Sequence, residues 1–294
     1  MRLFVTALAC LISVSVFGQG ACNNQTSVTY QGYAYDIVEI GDQCWFAENC
    51  RYLPSVSTSS EYSETDPYYY VYDFEGTDVE AAKANENYEN YGVLYNWPAV
   101  MNEDVCPSGW HVSSDEDWQT MEIYLGMSES EALSESSWRG TNQGFQMKSM
   151  SGWSNLMSDG TTGNGSNASG LNVFPSGYWV STTGFENLYN LAYFWTPSML
   201  DVESYIRSVN KNFDTVMRYL HPTNYGFSVR CIKDEPLHYD GNGDGCVNIQ
   251  DMLDILLEYG QCEPETQLDF DGNDDGCVNG EDVLNILMEF GNCE

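Results

Sequence analysis

Asp240-Gly241-Asn242-Gly243-Asp244-Gly245-Cys246-Val247-Asn248-Ile249-Gln250-Asp251 recurs 31 residues later as Asp271-Gly272-Asn273-Asp274-Asp275-Gly276-Cys277-Val278-Asn279-Gly280-Glu281-Asp282. Both copies put Asp, Asn and Asp at positions 1, 3 and 5, Asn at 9 and Asp at 12. Calcium takes six to eight hard oxygen ligands, and a 12-residue loop supplies them from positions 1, 3, 5, 7, 9 and 12. Position 6, where such a loop turns sharply, is Gly in both copies. Position 7 ligates through its carbonyl, so Cys246 and Cys277 fit there without using sulfur. The pattern predicts two calcium ions. Asp240, Asn242, Asp244, Cys246, Asn248 and Asp251 would hold one; Asp271, Asn273, Asp275, Cys277, Asn279 and Asp282 would hold the other.

An apolar run at helical spacing follows each loop: Met252, Leu253, Ile255, Leu256, Leu257 and Tyr259, then Val283, Leu284, Ile286, Leu287, Met288 and Phe290. Gly260 and Gly291 stop these helices. No comparable helix precedes either loop, so each unit is half an EF-hand and the two must pack together to bury both stripes. Residues 235–294 hold 16 Asp or Glu and no Lys or Arg. Without metal those like charges oppose compaction, so the module is expected to be poorly ordered in chelator and to fold on adding calcium. This duplicated loop-plus-helix resembles a dockerin module over 240–293. The resemblance implies a cohesin-like partner. Cohesin-binding dockerins carry a Ser-Thr-like pair at positions 10 and 11, however, where this chain has Ile249-Gln250 and Gly280-Glu281.

Outward from this module, the formal charge of −34 and pI near 4.1 exclude nucleic acid and anionic membrane as partners. Residues 1–20 read as a secretory signal peptide, with Arg2, an apolar stretch Leu3–Phe17 and small residues at Gly18–Ala21. That stretch is too short to span a bilayer comfortably, and no later segment could span one. The mature chain is expected to be secreted or held at a bacterial cell surface, with a large domain at 21–234 and the small module at 235–294. Its nine cysteines then read as disulfides. Cys246 and Cys262 flank one tail helix, and Cys277 and Cys293 the other. A ten-residue helix is about 15 Å long, beyond the roughly 7 Å that bridged Cα atoms tolerate. Antiparallel helices favour Cys246–Cys293 and Cys262–Cys277. Five cysteines remain, so one is left over.

The large domain reads as α+β: few helices, many short strands and long loops. Strands alternate through 22–53, with turn signals at Gln31-Gly32 and Gly41-Asp42. A polar, Tyr-rich excursion runs from 55 to 90 with a short helix near 79–84. Ser113-Ser114-Asp115-Glu116 caps a helix to about Leu125 that shows Trp118, Met121 and Leu125 on one face, with Glu116 completing the box. A Gly/Ser/Asn-rich loop covers 149–169. Strands follow near 177–181, 191–196, 203–209, 214–219 and 226–233.

Several segments match a known pattern: Ile40-Gly-Asp-Gln-Cys44-Trp45-Phe-Ala-Glu48-Asn49, Tyr91-Gly-Val-Leu-Tyr95-Asn-Trp97-Pro-Ala, Val105-Cys106-Pro-Ser-Gly-Trp110-His111, and Tyr225-Gly-Phe-Ser-Val-Arg230-Cys231. In order and spacing they resemble the Fibrobacter succinogenes major paralogous domain over about 28–234. That family is without an agreed activity and looks related to the C-type-lectin-like and formylglycine-generating-enzyme-like folds. The resemblance implies a loop-rich platform closed by its first and last strands, with Cys106–Cys231 and Cys22–Cys44 bridged. Cys50, where the family has Leu, is nominated as the free thiol. The stretch 178–222 departs most from the family.

No motif places a catalytic group. His111, His221 and His238 show no zinc spacing, and neither a nucleophile elbow nor a phosphate loop is present. His111 reads as a packing residue. Glu48 and Glu116 are the best-placed acids for glycoside hydrolysis, yet each fits a backbone-bonding or capping role better. A cysteine pair for formylglycine-type chemistry is missing from the closing region. Trp45, Trp97, Trp110 and Trp118 read as core, whereas Trp153, Trp179, Tyr193 and Trp195, in or beside variable loops, are the candidates for stacking on a ligand. The sequence is therefore read as a non-catalytic binding protein for a glycan or surface-protein ligand, with a dockerin-like attachment module. A polysaccharide hydrolase carrying a dockerin and a structural matrix protein are the alternatives.

Overall fold

A computed structural model of the chain describes residues 20–135, 137–156, 160–234, 239–242, 246–262, 270–271 and 276–292. The expected signal peptide lies almost wholly outside them. In chain order the strands are β1 (Ser27–Tyr30), β2 (Tyr33–Ile40), β3 (Gln43–Phe46), β4 (Tyr69–Tyr70), β5 (Leu94–Tyr95), β6 (Trp110–Val112), β7 (Ser137–Arg139), β8 (Tyr178–Val180), β9 (Gly184–Glu186), β10 (Leu191–Leu200), β11 (Glu203–Asn210), β12 (Val216–Pro222), β13 (Tyr225–Gly226) and β14 (Cys231–Lys233). The helices are α1 (Val79–Lys83), α2 (Glu86–Tyr91), α3 (Trp97–Val100), α4 (Asp115–Tyr124), α5 (Glu129–Ala132), α6 (Gln143–Met147), α7 (Ile249–Glu258) and α8 (Gly280–Glu289). The large domain is mixed α and β, mostly strands with a few helices, and rich in loops.

A five-stranded antiparallel sheet has the order β1-β2-β3-β14-β6. Gln31 and Gly32 both take positive φ, the geometry that lets a two-residue turn follow the strands' own twist. Strand β3 is buried on both faces, because successive side chains point to opposite sides. Cys44 and Phe46 enter a cluster with Tyr35, Tyr95, Trp195 and Phe227, while Trp45 enters one with Trp118, Met121, Phe194 and Ile232. A second sheet runs β10-β11-β12-β7 and a third β13-β8-β9.

The expected strand over 226–233 is instead two short ones, β13 and β14. Between them Val229 and Arg230 leave the ladder to bond Cys50 and Ser113, while the buried Arg230 guanidinium donates to Asn49 and to the Phe46 and Leu171 carbonyls. Helix α4 also starts one residue later than expected. Ser114 is the N-cap and Asp117, not Glu116, closes the capping box, because the Ser113 hydroxyl accepts from the Trp118 indole at 2.9 Å.

Buried ions fix α4 to the second sheet. Asp115 accepts from Arg207 at 2.6 Å and Arg218 at 2.7 Å, and Glu122 from Arg207 at 2.8 Å and Arg139 at 2.9 Å. Burial pushes the Asp115 carboxyl up, but its bonds to Arg218 and Arg207 outweigh that and hold it below its ordinary range. Cys22 is bridged to Cys44 and Cys106 to Cys231, and Cys50 is a buried free thiol.

Helices α7 and α8 form a separate small core of Tyr239, Val247, Ile255, Phe270, Val278 and Ile286. Gly260 donates to the Val278 carbonyl at 2.7 Å, and Gly291 to the Val247 carbonyl at 2.7 Å, so each helix end pairs with the other unit's loop. Cys262 is bridged to Cys277. Cys246 is also disulfide-bonded, while Cys293 lies outside the described residues. The two helices do not bury their whole stripes. Leu253, Leu256, Leu257, Leu284, Leu287 and Met288 remain between 52% and 82% exposed, because two ten-residue helices enclose only one inward row each. Among the described residues no helix is long and apolar enough to cross a membrane.

Candidate functional sites

In each loop unit the residue at position 12 sits inside. Asp251 and Asp282 are wholly buried. One oxygen of Asp251 accepts from the Asn248 backbone at 2.9 Å and the other from the Asn242 backbone at 3.4 Å. Asp282 accepts from the Asn279 backbone at 2.9 Å and, across the module, from the Tyr239 hydroxyl at 3.5 Å. Neither carboxylate has an ion pair among the described residues, and 235–294 holds no Lys or Arg to provide one. A buried carboxylate without a cation is costly, so this donor set fits a hard divalent ion. Asp271 also turns inward, accepting from the Gly276 backbone at 2.8 Å. Asn248 and Asn279 cap α7 and α8 through their side-chain oxygens, accepting from Gln250 and Glu281 at 2.8 Å. Their part in ligation would therefore run through water, as position 9 often does. The Cys246 and Cys277 carbonyls face the amides of Asn248 and Asn279. Asp240 and Asn242 lie among the described residues; Asp244, Asn273 and Asp275 lie outside them. No group of three or more His, Cys, Asp or Glu converges as for a metal among the described residues.

The large domain carries a cleft of about 800 Å³ where the N-terminal segment meets α4 and β14, lined by Asp42, His111, Glu116, Asp117, Lys233 and Asp234. His111 bonds Asp117 through Nε2 at 3.1 Å and Asp234 through Nδ1. Burial works against its charged form, yet the bonds to Asp117 and Asp234 outweigh it and pull the imidazole up to about 9. Asp117 shows the counterpart: burial raises its carboxyl, and its bonds to His111 and Ser114 hold it below its usual range. An imidazolium with both nitrogens engaged is neither a general base nor a metal ligand near neutrality; His111 ties the start of α4 to the end of β14. Asp117 and Asp234 were not anticipated, since only the fold brings Asp234 to the helix. Glu116 is exposed in this cleft. Glu48 lies in a different one, accepting from the Asp36 backbone at 3.1 Å and the Tyr33 hydroxyl at 2.8 Å.

Three of the four aromatic residues expected to stack on a ligand are core. Trp153, Trp179 and Trp195 are at most 5% exposed. Their indole nitrogens donate to Val173, Ser59 and Tyr95 carbonyls at 3.1, 3.0 and 2.8 Å, and Trp179 stacks on Tyr70. Tyr193 is half-buried against Phe227 and Tyr178. Trp179 lies in β8 and Tyr193 and Trp195 lie in β10, and the three tryptophans face inward because the sheets pack on those faces.

The frame around these sites is that of the motifs quoted above: Trp45 against Ile232, Cys106 bridged to Cys231, and Arg230 buried behind Asn49. Residues 38–233 match the Fibrobacter succinogenes major domain (Fib_succ_major). The chain belongs to that family. No curated protein and no solved structure matches it. The match begins at Val38 inside β2, so β1, the part of β2 that pairs with it and the module carrying α7 and α8 lie outside the matched region.

Proposed function

We propose that this family member is a secreted or cell-surface, non-catalytic binding protein. Its lectin-like large domain would hold a glycan or another surface ligand, and its dockerin-like module would bind two calcium ions and attach the chain to a partner. The observation that carries the reading is the pairing, in both units, of a buried position-12 Asp with an outward apolar row. Leu253, Leu256 and Leu257 recur as Leu284, Leu287 and Met288, all turned to solvent. Contiguous exposed apolar surface of this kind marks an interaction face. Calcium would neutralise the loop carboxylates and hold the loops that begin α7 and α8, with Asp240, Asn242, Asp251, Asp271 and Asp282 among its ligands. A cohesin-like domain is the partner that the dockerin resemblance implies. Glu48 and Glu116 line separate clefts, so those two cannot flank one glycosidic bond, and Asp117 and Asp234 beside Glu116 are engaged by His111.

Calorimetric titration of calcium into the chelator-stripped, oxidised chain tests this. Two sites are expected, with Asp251→Asn and Asp282→Asn each removing one. Absence of binding heat together with an unchanged circular dichroism spectrum refutes the calcium reading. New reducing ends released from a polysaccharide by the pure chain refute the non-catalytic one.

A further inference from the structure

The segment Ala47–Leu53, which leaves β3 to cross the domain, carries an arginine in an unusual setting. Arg51 is only 7% exposed. Its Nη1 pairs with the Glu48 carboxylate, its Nη2 donates to the Glu89 carbonyl at 2.7 Å, and its guanidinium lies 4.3 Å from the centre of the Tyr33 ring. Its Nε–H has no hydrogen-bond partner among the described residues. A buried donor left unmade costs about 1–3 kcal/mol, and because this Nε is closed to solvent a ligand oxygen would recover that cost only by drawing the Arg51 side chain toward the groove. Arg51 and Tyr33 together form the wall shared by two grooves. One, of about 240 Å³, is polar and lined by Glu48, Asn90 and Asn172 beside Phe174. The other, of about 200 Å³, is lined by Tyr30, Tyr52 and Tyr88, with the Tyr30 and Tyr52 rings roughly parallel. Each is smaller than the roughly 300–1,000 Å³ of common ligand sites, so each lobe suits no more than one sugar ring.

We propose that this double groove is the binding site for a neutral oligosaccharide, with one sugar ring against the tyrosines and the next in the polar lobe. The assignment rests on the glycan reading of the large domain and moves its site away from the buried tryptophans. Aromatic rings offer flat faces for the C–H side of a pyranose. Beside them Glu48 is an acceptor. Three donors reach the Glu48 carboxylate, and an ionised carboxylate accepts about four, so it retains room for one hydroxyl. Burial and the bond to Glu48 push Tyr33 up to about 12, so it stays an uncharged donor. The ligand is neutral because Arg51 is already matched by Glu48, and Asp36 and Glu89 line the same lobe.

The test is retention of the oxidised full chain on a panel of polysaccharides, followed by affinity measurement on any that binds. Arg51→Lys, which keeps the charge and loses the guanidinium that holds Glu48, Glu89 and the Tyr33 ring, and Tyr52→Ala should each weaken binding about tenfold or more, the factor for one buried contact, and Asn90→Ala on the exposed rim about threefold or more. Trp138→Ala, outside the groove, should not. Thermal melts establish that each variant is folded, and Asn90→Ala removes no buried packing. If the wild-type chain binds no polysaccharide, the glycan reading and this site both fall. If it binds and the folded variants bind equally well, the site is overturned while the glycan reading stands.

Discussion

Replacing Glu122 by Gln keeps the volume of a wholly buried side chain and removes its charge. The carboxylate accepts from Arg139 Nη2 at 2.9 and 3.0 Å and from Arg207 Nε at 2.8 Å. In Glu122→Gln, Arg207 keeps Asp115, but Arg139 loses its ionised partner and faces an amide that can offer one oxygen where the carboxylate offered two, beside the Ala132 and Glu131 carbonyls and the Met127 sulfur. Removing one partner of a buried pair costs about 3–5 kcal/mol, because the remaining charge stays desolvated. Unfolding entropy near 2.1 cal/mol/K per residue, over the roughly 200 residues of the family region, converts this to a fall in the thermal midpoint of about 7–12 °C. Differential scanning calorimetry of the oxidised chain measures it directly. Adding Arg139→Met removes the stranded charge and should restore at least half of the loss, since a well-packed apolar side chain substitutes for a buried ion at little cost. A fall of less than about 2 °C for Glu122→Gln, with the native near-ultraviolet spectrum retained, would show that these ions do not hold α4 to the sheet.

Other outcomes follow from the same geometry. With free calcium at about a hundred times its dissociation constant, each site should stabilise the α7–α8 module by about 2.7 kcal/mol; chelator should abolish this in the wild type, and Asp251→Asn should remove half. His111 titrates near 9 in the fold and near 6.5 unfolded, so its stabilisation is complete below about pH 6.5 and lost as pH rises through 9. Solvent screening keeps the effect small for a side chain nearly half exposed; the melting curves of wild type and His111→Asn should converge above pH 9, and a pH-independent gap refutes the assignment. Cys106→Ser with Cys231→Ser opens a loop of 125 residues and should cost about 5 kcal/mol on the chain-entropy view, read from denaturant midpoints. Trp195→Ala should lower stability by about 3–5 kcal/mol; unchanged stability with lost ligand binding would restore Trp195 as a contact residue.

Where the deciding interactions are local, the sequence was legible. The duplicated segments are local, and α7 and α8 begin just after Asn248 and Asn279 and end before Gly260 and Gly291. Trp118 and Met121 face the core as their spacing implies. The Cys262–Cys277 bridge was reachable from helix length taken together with an antiparallel arrangement of the two helices. What local pattern could not carry is the distant partner. Trp179 is buried because Tyr70 stacks on it and Ser59 accepts its N–H, and nothing near Trp179 announces either. The same holds for Arg51, whose environment of Tyr33, Glu48 and Glu89 is assembled from three separate segments. The small β7 escaped because its partner is β12, from which α6 and β8 to β11 separate it along the chain.

The position of β14 governs how such a chain can be made. Trp45 and Ile232 are ladder neighbours, and β14 separates β3 from β6. A nascent polypeptide synthesised from its N-terminus therefore holds β3 and β6 with unpaired inner edges until residue 231 has emerged. Contacts this remote in sequence form late and slowly, and open strand edges invite pairing with other chains in the interval. The domain cannot commit to its structure piecemeal: shortening the chain before Cys231 removes a central strand, a disulfide partner and the His111 clamp together, so a prematurely terminated product should be a target for proteolysis instead of a partly working protein.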